Sequence, residues 1–188
     1  NCSEARAAFN DIRSILPLAK KYLGSKYVTI IKKSIDWSDR FLVAHATRIR
    51  ERINQGFYRD VHGDLHSGNI FLYKKPVLFD CIEFNDSYRR IDILNEISFF
   101  CMDLEAYKQK SLADIFLKEY QRRTSCFQFP EDKQLFTYYK CFRANVRAKV
   151  HALGAEQKDD DAGSWRRHVA ALRNYLQLIR RYSNAGKS

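Results

Sequence analysis

The chain has 188 residues, of which 45% are hydrophobic and 29% are charged. This length and composition suit a folded domain with a sizeable core and argue against disorder. No apolar stretch is long enough to cross a bilayer, and the first residues lack the apolar core of a signal peptide, so the sequence predicts a cytoplasmic protein. Lysine and arginine outnumber the acidic residues by 33 to 22, and the net charge of +11 is compatible with an anionic partner.

The first third of the chain is predicted to be mainly helical. Apolar residues recur at helical spacing over residues 5–23, where Pro17 is expected to kink or end the helix. Residues 27–31 are rich in β-branched side chains, and their pattern fits a strand and a buried helix equally well. A second helix is predicted from about Ser38 to just before Gly56.

A run of polar residues then follows at the spacing that phosphoryl transfer requires. Residues 61–69, which we call the catalytic loop, read Val-His-Gly-Asp-Leu-His-Ser-Gly-Asn. In the catalytic loop of protein kinases an Asp receives the proton of the acceptor hydroxyl, and an Asn five residues later holds magnesium. Asp64 and Asn69 have this spacing.

A hairpin is expected to bring a third polar residue to this loop. Two apolar segments, residues 70–72 and 77–79, flank a short turn. If they pair as the two strands of a hairpin, Asp80 would lie beside Asn69. Asp80 would then match the second metal-binding aspartate of a kinase. Glu83 is a further candidate ligand, since magnesium prefers hard oxygen ligands and keeps several waters.

Helices are predicted over the rest of the chain. Residues 93–104 have a broad apolar face and are expected to form the buried centre of the fold, with Asp92 as the N-cap. Apolar residues at helical spacing predict three further helices, which include residues 112–120, 135–153 and 165–179. A polar acidic loop is predicted at residues 156–163. The five cysteines are widely spaced and form no C-x-x-C pair, so reduced and mostly buried thiols are expected.

The pattern His-Gly-Asp-x-His-x-x-Asn, with residues 79–84 and 90–92, resembles the aminoglycoside phosphotransferase and choline kinase-like group of small-molecule kinases. It is most similar to a bacterial branch often fused to a P-loop kinase-like domain. Gly63 stands where the loop of protein kinases has an arginine. The resemblance implies an α+β, mainly α-helical fold: the C-terminal lobe of a protein-kinase-like fold, with a short β-hairpin that carries the metal-binding Asp80.

The resemblance also implies a function. A phosphotransferase of this group transfers the γ-phosphate of ATP or GTP to a hydroxyl of a small molecule. Asp64 would be the catalytic base. His62 and His66 are further candidate catalytic residues, for which hydrogen bonding within the loop is the simpler interpretation.

The metal and its supports follow from the same resemblance. Asn69, Asp80 and Glu83 would hold Mg²⁺, which bridges the nucleotide phosphates. Asp92 would brace the catalytic loop in addition to capping the helix that follows it.

The whole chain, residues 1–188, is predicted to be a single domain with the metal-binding segment at 79–84. Nothing before Asp64 resembles a glycine-rich loop or a strand lysine, so the N-terminal nucleotide lobe is expected to be absent from this chain. These residues alone are then expected to bind nucleotide poorly and to be inactive. They are also expected to expose apolar surface where the nucleotide lobe would pack, which would allow association through that face.

A zinc enzyme is the enzymatic alternative. His62, Asp64 and His66 form an H-x-D-x-H cluster that suits zinc. Zinc sites usually need a further ligand from elsewhere, and the remaining histidines lie in predicted helices without a companion motif. The spacing of Asn69 and Asp80 would also go unexplained.

The charge supports a non-enzymatic alternative, a basic module that binds nucleic acid or another polyanion, or a pseudokinase without transfer activity. From Lys133 to the end, 12 lysines and arginines stand against 4 acidic residues. Arg143 and Arg147 lie at helical spacing and are candidate ligands of a phosphate or an anionic substrate. A solvated basic face is the simpler interpretation, and no recognised nucleic-acid motif accompanies these residues. The basic character also argues against a polycationic aminoglycoside as the acceptor.

Overall fold

The computed structural model describes residues 2–157 and 162–185. The chain divides into two compact units. We call them the terminal unit, Asn1–Ala46 and Cys141–Ser188, and the central unit, Thr47–Lys140. The single domain predicted from the sequence stays a prediction. Half of the predicted acidic loop, residues 158–161, lies outside the described residues, and its last two residues, Ala162 and Gly163, begin a helix instead.

The described residues are mainly helical. The helices are α1 Cys2–Asn10, α2 Leu16–Leu23, α3 Ser25–Ala44, α4 Ala46–Asn54, α5 Asp86–Arg89, α6 Ile93–Ala106, α7 Lys110–Arg123, α8 Pro130–Gly154 and α9 Ala162–Asn184. The strands are β1 Tyr58–Asp60, β2 Ile70–Leu72, β3 Pro76–Leu78 and β4 Arg90–Asp92. Antiparallel pairing joins β1 to β4 and β2 to β3. The mainly α-helical α+β class is therefore confirmed, whereas the kinase-like arrangement stays a prediction. None of the helices in the described residues is long and apolar enough to cross a membrane.

Pro17 determines how the first helical region is divided. The ring of a proline removes one helical hydrogen bond and clashes with the carbonyl four residues earlier, here that of Arg13. The chain accordingly passes from α1 through a 3₁₀ turn at Asp11–Ile15 into α2, in which proline occupies the first turn. Gly24 ends α2 with a φ of 90°, a backbone conformation that suits glycine.

The next two elements differ from the sequence prediction. Residues 27–31, whose sequence pattern fits a strand and a helix equally well, are helical and belong to α3, which begins at Ser25. The single helix predicted from about Ser38 to Gly56 is wrong in its bounds, since the chain breaks at His45 between α3 and α4. At the break, the His45 ring stacks on the Phe41 ring at 3.9 Å and its Nδ1 lies 3.0 Å from the Phe41 carbonyl. This local contact accompanies a backbone conformation outside the helical region.

The terminal unit is a helical unit whose apolar faces form one core. Its most buried apolar side chains are Phe9, Ile12, Ile15, Ile31, Ile35, Leu172, Leu176 and Ile179. The buried Asn145 side chain donates to the Phe9 carbonyl at 2.9 Å, and the rings of Phe9 and Phe142 lie 6.4 Å apart. The N-terminal helices and α8 are thus tied together within this unit.

A pair of histidines lies in the terminal unit. The Nδ1 atoms of His151 and His168 are 3.1 Å apart, so one nitrogen donates and the other accepts. Burial, the charge of Arg147 and the neighbouring His168 lower the pKa of His151 from 6.5 to about 4. Its ring stacks on Tyr175 at 5.5 Å.

This pair predicts an acid sensitivity. Between pH 6.5 and about pH 4 the unfolded chain binds a proton at position 151 that the folded protein excludes, so stability is expected to fall as the pH decreases through this window. His151→Phe keeps a ring on Tyr175 and should flatten the slope, as measured by urea denaturation at pH 7, 6 and 5. Val150→Ala, at an exposed position on α8, changes no titrating group, so it serves as the control and should keep the slope. Equal slopes in the parent and in His151→Phe would contradict the assignment.

The prediction of a buried helix at residues 93–104 is confirmed in the central unit, where α6 is largely buried and α7 packs on it. The buried apolar side chains of α6 include Ile93, Leu94, Ile97, Phe99 and Met102. Asp92 accepts a hydrogen bond from the Leu94 amide at 2.8 Å, so the predicted N-cap is present.

A buried ionic network crosses the central unit. Arg52 contacts both carboxylate oxygens of Asp92, at 2.6 and 2.8 Å, and donates to the Cys126 carbonyl at 2.9 Å. Arg48 makes a second two-pronged contact, with Asp132 at 2.8 and 2.9 Å, and Arg52 lies 3.0 Å from the same aspartate. Burial disfavours the charged form of Asp132, but its hydrogen bond to Arg48 and two backbone amides keep its pKa below the ordinary value.

The cysteines are free thiols, and three of the five are buried. Burial raises the pKa of Cys101 to about 12 and that of Cys126 to about 11. These two thiols stay protonated at neutral pH and act as small apolar groups. Cys81 is exposed, and it directly follows Asp80.

Candidate active site

The catalytic loop leaves the end of β1 and is held in place by the β1–β4 pair. Asp60 pairs with Arg90 in this sheet, and the Val61 amide donates to the Arg89 carbonyl at 3.0 Å, which extends the pairing into the loop. From this point the loop runs along α6. The polar side chains of the motif are therefore supported by a short sheet and a buried helix.

The His62 ring links the loop to the end of the hairpin. Its Nε2 lies 2.8 Å from the Phe79 carbonyl oxygen, which can only accept, so Nε2 carries the proton. Its Nδ1 then accepts from the Asp64 amide at 3.4 Å. Both ring nitrogens are thus engaged with the main chain, which supports the structural interpretation of His62 and disfavours zinc binding by it.

The position of Gly63 requires a glycine for two reasons, the backbone conformation and the lack of space for a side chain. Its φ is 82°, and a Cβ atom would lie 3.0 Å from the Tyr88 carbonyl oxygen and 3.3 Å from the Arg89 Cα. Its amide lies 3.2 Å from each carboxylate oxygen of Glu96. The backbone next to Asp64 is therefore enclosed by two other segments of the central unit.

Gly63→Ala is expected to lower the free energy of unfolding by about 1–3 kcal/mol, since it combines an unfavourable φ with a close approach to backbone. Gly56→Ala is the matched control, because Gly56 has a φ of 76° but nothing within 4 Å of a Cβ. Urea denaturation should show the larger loss for Gly63→Ala. Equal losses of unfolding free energy in the two variants would mean that the close approach of a Cβ at position 63 to the Tyr88 carbonyl does not affect stability.

Asp64 is oriented by two side chains of its own loop. The Asn69 Nδ2 donates to Asp64 Oδ2 at 3.1 Å and to the Asp64 carbonyl at 3.0 Å. The His66 Nε2 lies 3.4 Å from the same Oδ2. The Asp64 side chain remains 36% exposed, so a substrate has access to it.

The His66 ring is itself fixed. Its Nδ1 accepts from the Gly68 amide at 3.1 Å, so in the neutral ring the proton lies on Nε2, which faces Asp64. The ring packs against Phe99 of α6, with centroids 5.4 Å apart. His66 therefore orients the aspartate, and it is half-buried rather than exposed.

The predicted hairpin connects Asn69 to Asp80. The pairing of Ile70 with Leu78 and of Leu72 with Pro76 confirms the hairpin. Beyond it, the Phe79 amide donates to the Asn69 carbonyl at 3.2 Å, so Asp80 follows directly after a residue bonded to Asn69.

The two side chains differ in their surroundings. Asn69 is only 6% exposed, and because its Nδ2 faces Asp64, the amide oxygen Oδ1 points away from that carboxylate. Asp80 is exposed and has a φ of 60°, which is uncommon for a residue other than glycine. Such conformations occur at functional sites, where surrounding structure holds them.

The remaining predicted metal and support residues lie nearby in the chain. Glu83 is exposed. Asp92 is 1% exposed, caps α6 and pairs with Arg52, and it lies at the end of β4 opposite Tyr58 of β1. The strand that precedes the catalytic loop is thus connected to the buried ionic network.

Arg143 and Arg147 lie in the terminal unit, on α8. Arg143 is buried. The guanidinium of Arg147 lies 6.0 Å from the Tyr175 ring centroid, and its buried Nε has no hydrogen-bond partner in the part of the chain that the structure describes. Their binding of phosphate or substrate stays a prediction.

The described residues contain no group of three or more His, Cys, Asp and Glu side chains that could hold a metal ion. A magnesium ion that keeps several waters and bridges nucleotide phosphates needs only one or two protein ligands, which an amide and a carboxylate oxygen supply.

Two contributors to this site were missed by sequence reasoning. Glu96 contacts the Gly63 amide, and Asp103 accepts from the Ser67 amide at 2.9 Å and from the Ser67 hydroxyl at 2.5 Å. Both are almost fully buried. A signal was present in the sequence, since two carboxylates seven residues apart share one face of a largely apolar helix.

Comparison with known proteins gives relatives but no function. No family model matches the chain, and no solved structure matches it. Over 150 residues, or 79% of the chain, it is 33% identical to proteins named only as uncharacterized, from Mycobacterium bovis and from two strains of Mycobacterium tuberculosis. The matched region spans 30% of the length of these relatives.

Proposed function

We propose that the central unit carries the catalytic loop of a phosphotransferase, which transfers the γ-phosphate of ATP or GTP to a hydroxyl of a small molecule. The observation that carries the proposal is the arrangement of Asp64, Asn69 and Asp80. Asn69 is hydrogen-bonded to Asp64, and Asp80 directly follows Phe79, whose amide donates to the Asn69 carbonyl at the end of the hairpin. Their spacing in the chain matches that of the residues that carry out this transfer in kinases.

Asp64 would accept the proton of the attacking hydroxyl. Two nitrogen donors, from His66 and Asn69, approach its Oδ2 and fix the plane of the carboxylate. A general base must lie within hydrogen-bond reach of the proton it takes, and a fixed carboxylate with an exposed edge meets this requirement. The half-exposed position of Asp64 is consistent with this role.

Asn69 and Asp80 would hold Mg²⁺, with Glu83 as a further candidate ligand. The donor set fits, because it offers an amide oxygen directed away from Asp64 and an exposed carboxylate, both hard ligands. When bound, the ion would neutralise charge on the phosphate oxygens. The left-handed backbone of Asp80 determines the direction of its carboxylate.

The hairpin supports a nucleotide site that is shared with another lobe. Its large apolar side chains are largely exposed, namely Phe71, Leu72, Tyr73, Val77 and Leu78. The Phe71 ring stacks on Phe79 at 4.3 Å, next to Asn69 and Asp80 in the chain. An exposed apolar patch of this kind marks an interaction site. We propose that a nucleotide base and a nucleotide-binding lobe of the full-length protein cover it.

Binding of a polyanion is the second candidate function, and the distribution of charge favours it. The terminal unit has 18 lysines and arginines against 8 acidic residues, whereas the central unit has 15 against 14. The net charge of the protein thus comes almost entirely from one unit. A concentrated positive field attracts polyanions without any specific motif.

Transfer of labelled γ-phosphate from ATP in the full-length protein, with Mg²⁺ and a panel of hydroxyl compounds, tests the first proposal. Transfer that is lost in Asp80→Asn but retained in Asp86→Asn, an exposed carboxylate on the same segment, is the expected result. The absence of transfer, together with steeply salt-dependent binding to random DNA, would instead support the polyanion function.

A further inference from the structure

Three side chains on one face of α6 contact the catalytic loop. Glu96, Phe99 and Asp103 are separated by three and four residues, so they lie one above another on the helix. The first contacts the loop at its beginning, the second in its middle and the third near its end. The helix face thus follows the loop along its length.

The contact of Asp103 differs from the other two because it holds the turn that carries Asn69. A single oxygen, Oδ2, accepts from both the amide and the hydroxyl of Ser67. Within the same turn, the Gly68 amide donates to the His66 ring and the Asn69 amide donates to the His66 carbonyl at 3.0 Å. The donors of the turn are therefore directed either into the loop itself or onto Asp103.

We propose that Asp103 is a positioning residue for the phosphotransfer site, an inference that rests on the proposed function. By holding Ser67 in place, Asp103 determines the backbone position of Asn69, two residues further along the turn. The Asn69 side chain in turn determines the orientation of Asp64 through two hydrogen bonds. Asp103 accepts hydrogen bonds from Ser67, so its effect on the site would pass through the turn.

Burial makes this contact strong. Asp103 is 1% exposed, so its carboxylate is shielded from water and bonds to an ionised acceptor gain strength. If the acceptor were lost, the Ser67 amide would have to find another partner or remain unpaired, and the turn would shift. A displacement of about 1 Å at a catalytic group is enough to cost roughly a hundredfold in rate.

Glu105 provides a matched control on the same helix. It is also a buried carboxylate, but it pairs with Lys140 at 2.8 Å. Glu105→Gln therefore removes a charge of the same kind from α6 without altering the acceptor of Ser67. A general effect of charge loss on the helix would appear in both variants.

Amide hydrogen exchange in the full-length protein is the first measurement. Asp103→Asn is expected to speed exchange at residues 67–69 by roughly ten- to hundredfold, because the amide of Ser67 loses a charged acceptor. Glu105→Gln should leave these rates unchanged. Equal rates at residues 67–69 in the parent and in Asp103→Asn would overturn the inference.

Binding of Mn²⁺ with ATP, followed by electron paramagnetic resonance, is the second measurement. When it is introduced into the unaltered protein, Asp103→Asn is expected to weaken the binding of Mn²⁺ with ATP roughly tenfold. When it is introduced into the Asn69→Ala variant, it should cause no further weakening. The same weakening in both backgrounds would show that Asp103 does not act through Asn69 and would overturn the inference. If Asp103→Asn does not fold, Ser67→Ala, which removes one of the two hydrogen bonds, should show a smaller effect with the same dependence on Asn69.

The failure of the proposed function is distinguishable from the failure of this inference. If the unaltered protein neither binds Mn²⁺ with ATP nor transfers phosphate, the proposed function is wrong, and the positioning role is overturned with it. If the unaltered protein is active and Asp103→Asn is equally active with unchanged exchange, only the role of Asp103 is wrong.

Discussion

Asp64→Asn is expected to reduce phosphoryl transfer by about a hundredfold to ten-thousandfold while leaving the fold intact. The substitution keeps the shape of the side chain but removes the basic carboxylate. An asparagine can still accept from Asn69 or His66 through its amide oxygen, so the loop should retain its contacts. The measurement is the rate of transfer at saturating ATP, in the full-length protein, with a hydroxyl acceptor that supports turnover.

Asp86→Asn is the control for Asp64→Asn. Asp86 is an exposed carboxylate in the same unit, and it forms ion pairs with Arg89 and Arg90 at the surface. Its loss should leave turnover within a few-fold of the parent, because surface ion pairs contribute little. Turnover of Asp64→Asn at the level of this control would show that Asp64 is not the acceptor-binding base.

Arg52→Met is expected to lower the free energy of unfolding by about 3–5 kcal/mol, because it leaves the buried Asp92 without its charged partner. Arg52 is fully buried and also contacts Asp132 and the Cys126 carbonyl. A loss of this size is a large share of the total stability of a domain. Urea denaturation followed by circular dichroism measures it.

Arg50→Met is the control, since Arg50 is exposed on the same helix. Its loss should cost less than about 0.5 kcal/mol. If Arg52→Met does not fold, Arg52→Lys keeps the charge but loses the two-pronged geometry, and it should be intermediate. Equal stability of the Arg50 and Arg52 variants would show that the buried ion pair between Arg52 of α4 and Asp92 of β4 does not stabilise the fold.

The sequence predicted those parts of the site that depend on local spacing. The hairpin after Asn69 was predicted from two apolar segments with a turn between them, and it is present. The approach of the Asp80 carboxylate to Asn69 stays a prediction. The cap at Asp92 followed from its position before an apolar helix. Such features are determined by a few neighbouring residues, so they can be read from the sequence.

The parts that depend on distant contacts were not predicted. Arg52 bonds to residues 40 and 74 positions away, and Asp103 to one 36 positions away. In the sequence, these side chains are simply charged residues within amphipathic helices. The helix break at His45 was missed for a different reason, since the hydrophobic pattern continues through it while the backbone does not.

A crystal structure of the full-length protein with Mn²⁺ and a non-hydrolysable ATP analogue tests the central claim most directly, since the anomalous signal locates the ion. The account predicts an ion about 2.0–2.3 Å from Asn69 Oδ1 and from an Asp80 carboxylate oxygen, with the terminal phosphate of the analogue facing Asp64. An ion bound with the nucleotide elsewhere, in contact with neither Asn69 nor Asp80, would contradict the account.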